Sequence, residues 1–406
     1  MIVEKSHKIR LVPNEDQKRM MTQSCVAARV AYNWALYEWN SQYEDLRILE
    51  GLGYGVDKSE YPSKFGIKKQ FNAAKRSDDR LKWILDVSQR APERAFDDLG
   101  AAFKNFFRDL KRGSGAQYPR FKRKGTGNSY YQSNNSIKLD GKRVRLEKVG
   151  WVKMREELRF DGKILGARVS HRAGKWFISI QVRSEVPDPE HPAPGVSVGV
   201  DMGVKCFAAF STGEMVESAN ALSRLEDQLR RAQKTLSRRQ GPDRRRGQKA
   251  GKNWLKAKTR VQKIQNRISN IRNHHTHETT RRLVDENETV VIEDLNVKDM
   301  TESAKGNMEA PGKNVRQKSD LNKSILDQGF YEFRRQLEYK ASWCGGRVVL
   351  VDPAYTSQTC SQCGNINADN RVSQADFRCV KCGHSENADV NAAKNIFNRG
   401  ISEQLS

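Results

Sequence analysis

The chain has 406 residues and carries 73 Lys and Arg against 49 Asp and Glu, a formal charge of +24 at pH 7. So large a positive excess is self-repulsive in a folded protein and points to a polyanionic partner. No run of about 18 apolar residues is present and no apolar leader opens the chain, which sets aside membrane-spanning and secreted classes. Of seven cysteines, four form two C-x-x-C pairs, which favours thiolate–metal chemistry in a reducing compartment over a disulfide framework. At roughly 100–200 residues per domain the length allows two to four domains.

In chain order, residues 8–12 read as a strand closed by Pro13-Asn14, and a helical pattern follows from Glu15. A loop at 51–55 separates it from helices expected over 63–74 and 92–110, the second with Pro92 in its first turn. Strands are expected at 136–139, 143–146, 152–155, 167–172 and 176–184, divided by Asp140-Gly141, Asp161-Gly162 and Ala173-Gly174. These make a small antiparallel barrel or sandwich that the strand at 8–12 joins. Residues 187–195 contain four prolines and mark the clearest boundary. Beyond it come strands at 196–200 and 206–211. Two long basic helices, 219–240 and 252–286, are expected to pack along Leu225, Leu229 and Leu236, then Trp254, Val261, Ile264, Ile268 and Ile271. Gly241-Pro242 and Arg244-Arg245-Arg246 form their joint. A strand at 289–292, a mobile polar stretch at 301–319, a helix at 324–345, a strand at 347–351 and a helix from about 388 complete the expectation.

Cys360-x-x-Cys363, fifteen residues, then Cys379-x-x-Cys382 is the most specific local signal. Two such knuckles suit one tetrahedral site with four thiolates, a single structural Zn²⁺. A redox pair or free thiols are the competing readings. Gly364 and Gly383 follow the second cysteine of each knuckle, where the chain turns tightly. Cys25, Cys206 and Cys344 lie on apolar faces and read as core residues.

Three acids stand at element ends. Asp201 follows Val196-Ser-Val-Gly-Val200, Glu293 follows Thr289-Val-Val-Ile292, and Asp389 lies near the start of the last helix. Converging, they would bind two Mg²⁺ ions for in-line attack on a phosphodiester. Taken singly, each is more simply a strand-end or capping carboxylate. Asp294, Asp299 and Asp352 compete for the same roles. His274, His275 and His277 read as a polar helix face in preference to a metal site.

The motifs Gly199-Val-Asp-Met-Gly-Val204, Val291-Ile-Glu-Asp-Leu-Asn296, Thr356-Ser-Gln-Thr-Cys360 and Asp389-Val-Asn-Ala-Ala-Lys-Asn-Ile396 resemble the TnpB family. So do Gly100-Ala-Ala-Phe-Lys-Asn-Phe-Phe107 and Tyr118-Pro-Arg-Phe-Lys122. TnpB proteins are transposon-encoded, RNA-guided nucleases similar to compact type V CRISPR effectors. The resemblance implies a multidomain α+β protein. A β-barrel wedge domain (1–13 and 113–195) would carry an inserted helical recognition lobe (14–112). An RNase H-like RuvC domain (196–352 and 386–406) would carry an inserted zinc ribbon (353–385). It implies an Mg²⁺-dependent RNA-guided DNA endonuclease with Asp201, Glu293 and Asp389 at its centre. Its partners would be a noncoding guide RNA and double-stranded DNA, with one RNA per monomer, in a prokaryotic cytoplasm at the nucleoid.

Arg371 matches a ribbon arginine that would stabilise charge on the scissile phosphate, or else it holds the ribbon or a phosphate as a loop arginine. Asn391 and Asn395 either orient Asp389 or cap and pack. Residues 118–124, including Arg120 and Lys122, and the stretch Tyr131, Gln132, Ser133, Asn134 combine cations, rings and amides suited to phosphate, bases and base edges. The resemblance places 128–135, with Tyr54 and Gln89, near the short duplex motif beside the target. Solvated loop or core ring is the bland reading of each. Alternatives from other classes are a catalytically silent RNA-guided regulator, a zinc-ribbon RNA-binding protein and a strand-joining transposase. A compact CRISPR effector differs from TnpB chiefly in its genetic neighbourhood.

Overall fold

The computed structural model describes all residues except 58, 114, 126, 127, 244, 308, 309 and 406, and describes no side chains over 403–405. Arg244 of the expected basic joint lies outside the described residues. The chain divides into two compact units, Met1–Val186 and Pro187–Ser406, next to the proline-rich segment.

The first unit opens with β1 (Ile2–Val12) and α1 (Glu15–Gly51). Asn14 caps α1 reciprocally: its Oδ1 accepts from Gln17 N–H at 2.8 Å, and Gln17 Oε1 accepts from Asn14 N–H at 3.1 Å. Then follow α2 (Lys64–Ser77), α3 (Arg90–Lys111), β2 (Ser129–Ser133), β3 (Lys138–Asp140), β4 (Arg143–Leu146), β5 (Gly150–Met154), β6 (Lys163–Arg172) and β7 (Lys175–Glu185). The seven strands run β2-β6-β7-β1-β5-β4-β3 and pair antiparallel throughout. β1 therefore joins the sheet as expected, and centrally. Ile9, Leu11, Val144, Val152, Val169, Ile178 and Ile180 form its core, while α1, α2 and α3 share a separate one around Phe71, Phe96 and Leu99. β2 lies in the stretch expected to touch nucleic acid, for which a solvated loop or a core ring was the other reading. Tyr130 and Gln132 alternate inward along it and are buried.

The second unit contains β8 (Ser197–Asp201), β9 (Cys206–Phe210), β10 (Met215–Glu217), α4 (Glu226–Ser237), α5 (Lys252–Glu286), β11 (Thr289–Glu293), α6 (Val297–Met300), α7 (Val315–Gln328), α8 (Phe330–Cys344) and β12 (Arg347–Val351). The short hairpin β13 (Asp376–Arg378) and β14 (Ser385–Asn387) precedes α9 (Ala388–Leu405). The sheet order is β10-β9-β8-β11-β12, with β8, β11 and β12 parallel and β9 and β10 antiparallel. α4 starts later than the periodicity suggested, because Asn220 adopts a left-handed conformation (φ +48°) and residues 223–225 form a 3-10 turn. Leu225, Leu229, Ile264, Ile268 and Ile271 pack together as expected of the hairpin, whereas Leu236, Trp254 and Val261 fall outside that cluster. Part of the stretch expected to be mobile is helix, since α7 begins at Val315.

Strand alternation decides which way the acids face. On β11, Val290 and Ile292 pack with Leu283, Phe333 and Leu337 of α5 and α8, whereas Val291 packs with Ile396 of α9. Glu293 shares the parity of Val291. On β8, Gly199 abuts α9: a Cβ there would meet Ala393 O and lie 2.6 Å from Phe397 Cβ. Asp201 shares the parity of Gly199. Both acids thus fall on the face covered by the helix that bears Asp389.

Candidate functional site

Asp201 ends β8, Glu293 ends the adjacent parallel β11, and Asp389 lies in the first turn of α9. Asn387 Oδ1 caps α9, accepting from Asp389 N–H at 3.0 Å and Val390 N–H at 3.2 Å. Burial pushes Asp201 up to about 7, and Glu293 and Asp389 add to the rise while Arg371 opposes it. Burial also raises Glu293, against a hydrogen bond from Thr356 and the charge of Arg399. Asp389 rises for the same reason, against Arg371 and Lys205. Carboxylates separated in sequence by 92 and 96 residues (201 to 293 to 389) thus share one electrostatic environment.

Neighbouring side chains fix these acids. Thr356 Oγ1 donates to Glu293 Oε1 at 2.6 Å and orients that carboxylate. Arg371 Nη2 donates to Asp389 Oδ1 at 3.4 Å and to Gln374 O at 3.0 Å, and so links the start of α9 to the cysteine-bearing segment. Arg399 donates to the carbonyls of Asp352 and Ala354. The competing acids are occupied elsewhere. Asp294 pairs with Arg334, Asp299 Oδ2 accepts from Asn296 Nδ2 at 2.6 Å, and Asp352 Oδ1 accepts from Ala354 N–H at 2.9 Å. Thr356 is the residue that sequence reasoning missed. Its only signal was its place at the start of the Thr356-Ser-Gln-Thr-Cys360 motif.

The four cysteine sulfurs lie within 4.8 Å of one another. Cys360 Sγ to Cys382 Sγ is 3.7 Å and Cys363 Sγ to Cys379 Sγ is 3.6 Å. Zn–S bonds of about 2.3 Å at tetrahedral angles put sulfurs about 3.8 Å apart, so the residues present fit zinc. Gly364 (φ +70°) and Gly383 (φ +77°) take the left-handed turn after each knuckle. The Cys382 N–H, 3.5 Å from Cys379 Sγ, and the Lys381 amide hold that thiol down at about 6. Fully buried Asn370 ties the knuckles together: its Nδ2 donates to Gln358 O at 2.9 Å and Asn365 O at 3.1 Å, and its Oδ1 accepts from Val380 N–H at 2.9 Å. Asn391 and Asn395 dock this segment onto α9. Asn391 Nδ2 donates to Thr359 O at 2.8 Å, and Asn395 Nδ2 to Thr356 O at 2.9 Å and Thr359 O at 2.6 Å. They act on the ribbon's root, not on Asp389.

The residues expected to touch nucleic acid lie in the first unit and divide into free and committed groups. Tyr54 is 65% exposed, and Arg120 and Asn134 are exposed. Lys122 Nζ lies 3.9 Å from the Tyr32 ring centroid and 3.6 Å from Asp98. Tyr131 donates to Leu165 O at 3.2 Å beneath the Arg94 guanidinium, and Ser133 lies 3.4 Å from the Ser136 hydroxyl. Arg29, Arg94, Lys122, Tyr131 and Arg168 surround a cavity of about 280 Å³. Gln89 spends its amide on the carbonyls of Ile84, Leu85 and Val87 and accepts from Lys75 Nζ at 3.0 Å. Gln132 is fully buried, with Oε1 accepting from Ser136 at 2.9 Å, so base reading does not fit its placement. His274 is exposed beside Glu278 and His275 packs edge-on to Phe207, consistent with a helix face.

Three family models match the chain: "Helix-turn-helix domain" over 1–47, "Probable transposase" over 179–304 and "Cas12f1-like, TNB domain" over 330–396. Residues 1–47 are here one strand and one long helix. A protein of Escherichia coli (strain K12) named putative RNA-guided DNA endonuclease InsQ is 38% identical over 97% of this chain and 91% of its own. A putative RNA-guided DNA endonuclease of Streptomyces pristinaespiralis is 27% identical over 98% of this chain and 90% of its own. A Cas12f1–sgRNA–target DNA complex is 17% identical and covers 98% of this chain and 99% of that one at a TM-score of 0.34, too low to bear on the fold. Identity of this level over nearly the whole length of both chains, with the family's models falling in chain order, places the protein in the TnpB family.

Proposed function

We propose that this protein is an RNA-guided DNA endonuclease. It binds a noncoding guide RNA, recognises a short duplex motif beside its target, and hydrolyses DNA phosphodiesters at Asp201, Glu293 and Asp389. The observation that carries the reading is the placement of these three half-buried carboxylates at the ends of β8 and β11 and in the first turn of α9, with all three held in the neutral direction by burial. Such a group is poorly compensated by Arg371 and Lys205 alone and is suited to divalent cations. Two Mg²⁺ ions held by Asp201, Glu293 and Asp389 would supply an activated water and stabilise the leaving oxygen.

The chain's own residues do the rest. Thr356 keeps one Glu293 oxygen fixed and leaves the other free to face the site. Arg371, able to leave a 3.4 Å contact with Asp389, supplies a guanidinium for the scissile phosphate. The ribbon sets both Thr356 and Arg371, so zinc binding and catalysis are coupled through geometry. The strand order of the second unit, with acids ending two adjacent parallel strands, supports an RNase H-like RuvC assignment for 196–352 and 386–406, with 353–385 as the zinc ribbon. Residues 1–13 and 113–195 correspond to the wedge and 14–112 to the recognition lobe. Base pairing of guide to target then supplies sequence specificity. A convergent acid cluster favours a working nuclease over a silent regulator. The test is Asp201→Ala in RNA-loaded protein, which should abolish cutting and leave RNA and target binding near wild type. Cutting at the wild-type rate would remove the acids from the mechanism.

A further inference from the structure

Beside Glu293 the second unit has a cavity of about 440 Å³. That is in the range of small-ligand sites. Its apolar lining includes Ile292 and Phe330, 2% and 4% exposed, with Met202 and Leu295. The wall also holds Arg334, whose charge is committed to Asp294 and to Glu338 at 2.8 Å, so it is not a cation site. Tyr331 stands at the same lining yet is 71% exposed. The left-handed Gly329 (φ +72°) starts α8 so that consecutive aromatic residues divide: Phe330 is buried and Tyr331 faces solvent. Lys298, also exposed, lies on the rim.

A largely apolar slot with a large exposed ring, an ammonium donor at its edge and one acid of the proposed centre in its wall has the chemistry of a nucleobase site. Aromatic rings stack on any base, and cations at the rim hold the phosphate. Bases within a duplex are stacked on their neighbours and cannot enter, whereas an unpaired base can. We propose that this cavity receives an unpaired base of the DNA strand being cut, stacked on Tyr331, so that the adjoining phosphodiester is presented at Glu293. The inference rests on the nuclease reading above and adds to it a positioning residue and a physical reason for preferring single strands.

The test uses RNA-loaded protein carrying Asp201→Asn, bound to guide-matched duplexes with 2-aminopurine walked along each strand. One position should show strong fluorescence quenching. Tyr331→Phe should keep the quench, and Tyr331→Ala should abolish it and weaken binding of a pre-opened strand about tenfold. With Asp201 intact, Tyr331→Ala should slow cutting while Tyr331→Phe does not. Quenching that survives Tyr331→Ala, or no quenched position at all, overturns the subsite. If wild-type protein cuts guided DNA under those same outcomes, the subsite alone fails. If wild-type protein never cuts, the nuclease reading fails with it.

Discussion

Replacing Asp201 with Asn should stabilise the metal-free protein at neutral pH while eliminating its cutting. The carboxyl is raised from 3.8 to about 7 by burial and by Glu293 and Asp389. At about 1.4 kcal/mol per pH unit, ionising it in the native state costs at most about 4 kcal/mol. Solvent at a half-buried site reduces this to ~1–2 kcal/mol. The native state keeps this proton to higher pH than the unfolded chain, so wild type loses stability as pH rises from about 4 to about 7. The amide of Asp201→Asn cannot ionise, so the variant escapes that loss. Its advantage in unfolding midpoint, measured in EDTA, should be near zero around pH 4, grow with pH and level off above about 7. An advantage independent of pH, or a variant less stable at pH 8, would refute the account of the charge cluster.

Three further outcomes follow from the same geometry. Thr356→Val removes the hydroxyl that holds Glu293, and should raise the Mg²⁺ concentration for half-maximal cutting about tenfold, the worth of a hydrogen bond to a charged group. Gly199→Ala forces a methyl against Ala393 and Phe397 of α9, and should cost ~1–3 kcal/mol in denaturant unfolding and slow cutting by displacing Asp201 from Asp389. Stripping zinc, or Cys379→Ser, should release residues 356–387, whose buried cluster of Cys360, Phe377 and Cys379 packs with Ala388 of α9. Mass spectrometry should find one zinc per chain, and hydrogen exchange over that segment should rise sharply without it.

The parts of the site legible in the sequence were those with a fixed period or spacing. Two knuckles fifteen residues apart announced a four-sulfur cluster, and acids closing β-rich runs announced strand ends facing one layer. What stayed hidden depends on contacts between distant segments. Nothing in a lone threonine marks Thr356 as the partner of Glu293, and Asn370 looks like any loop amide until both knuckles close on it. Asn391 and Asn395 were visible on the right helix face, but which partner they hold was not. Gln132 was a candidate because its amide suits base edges, whereas strand alternation turns it inward. The helix expected from 219 failed at its start, where left-handed Asn220 and the 3-10 turn interrupt a good apolar period.

The central claim is guided hydrolysis at the acid cluster. Protein purified with its bound RNA should be given two plasmids in Mg²⁺ that differ only in the segment matching that RNA. The matched plasmid alone should be cut, and Asp201→Asn should cut neither. Cutting of both plasmids alike, or equal cutting by Asp201→Asn, would contradict that claim.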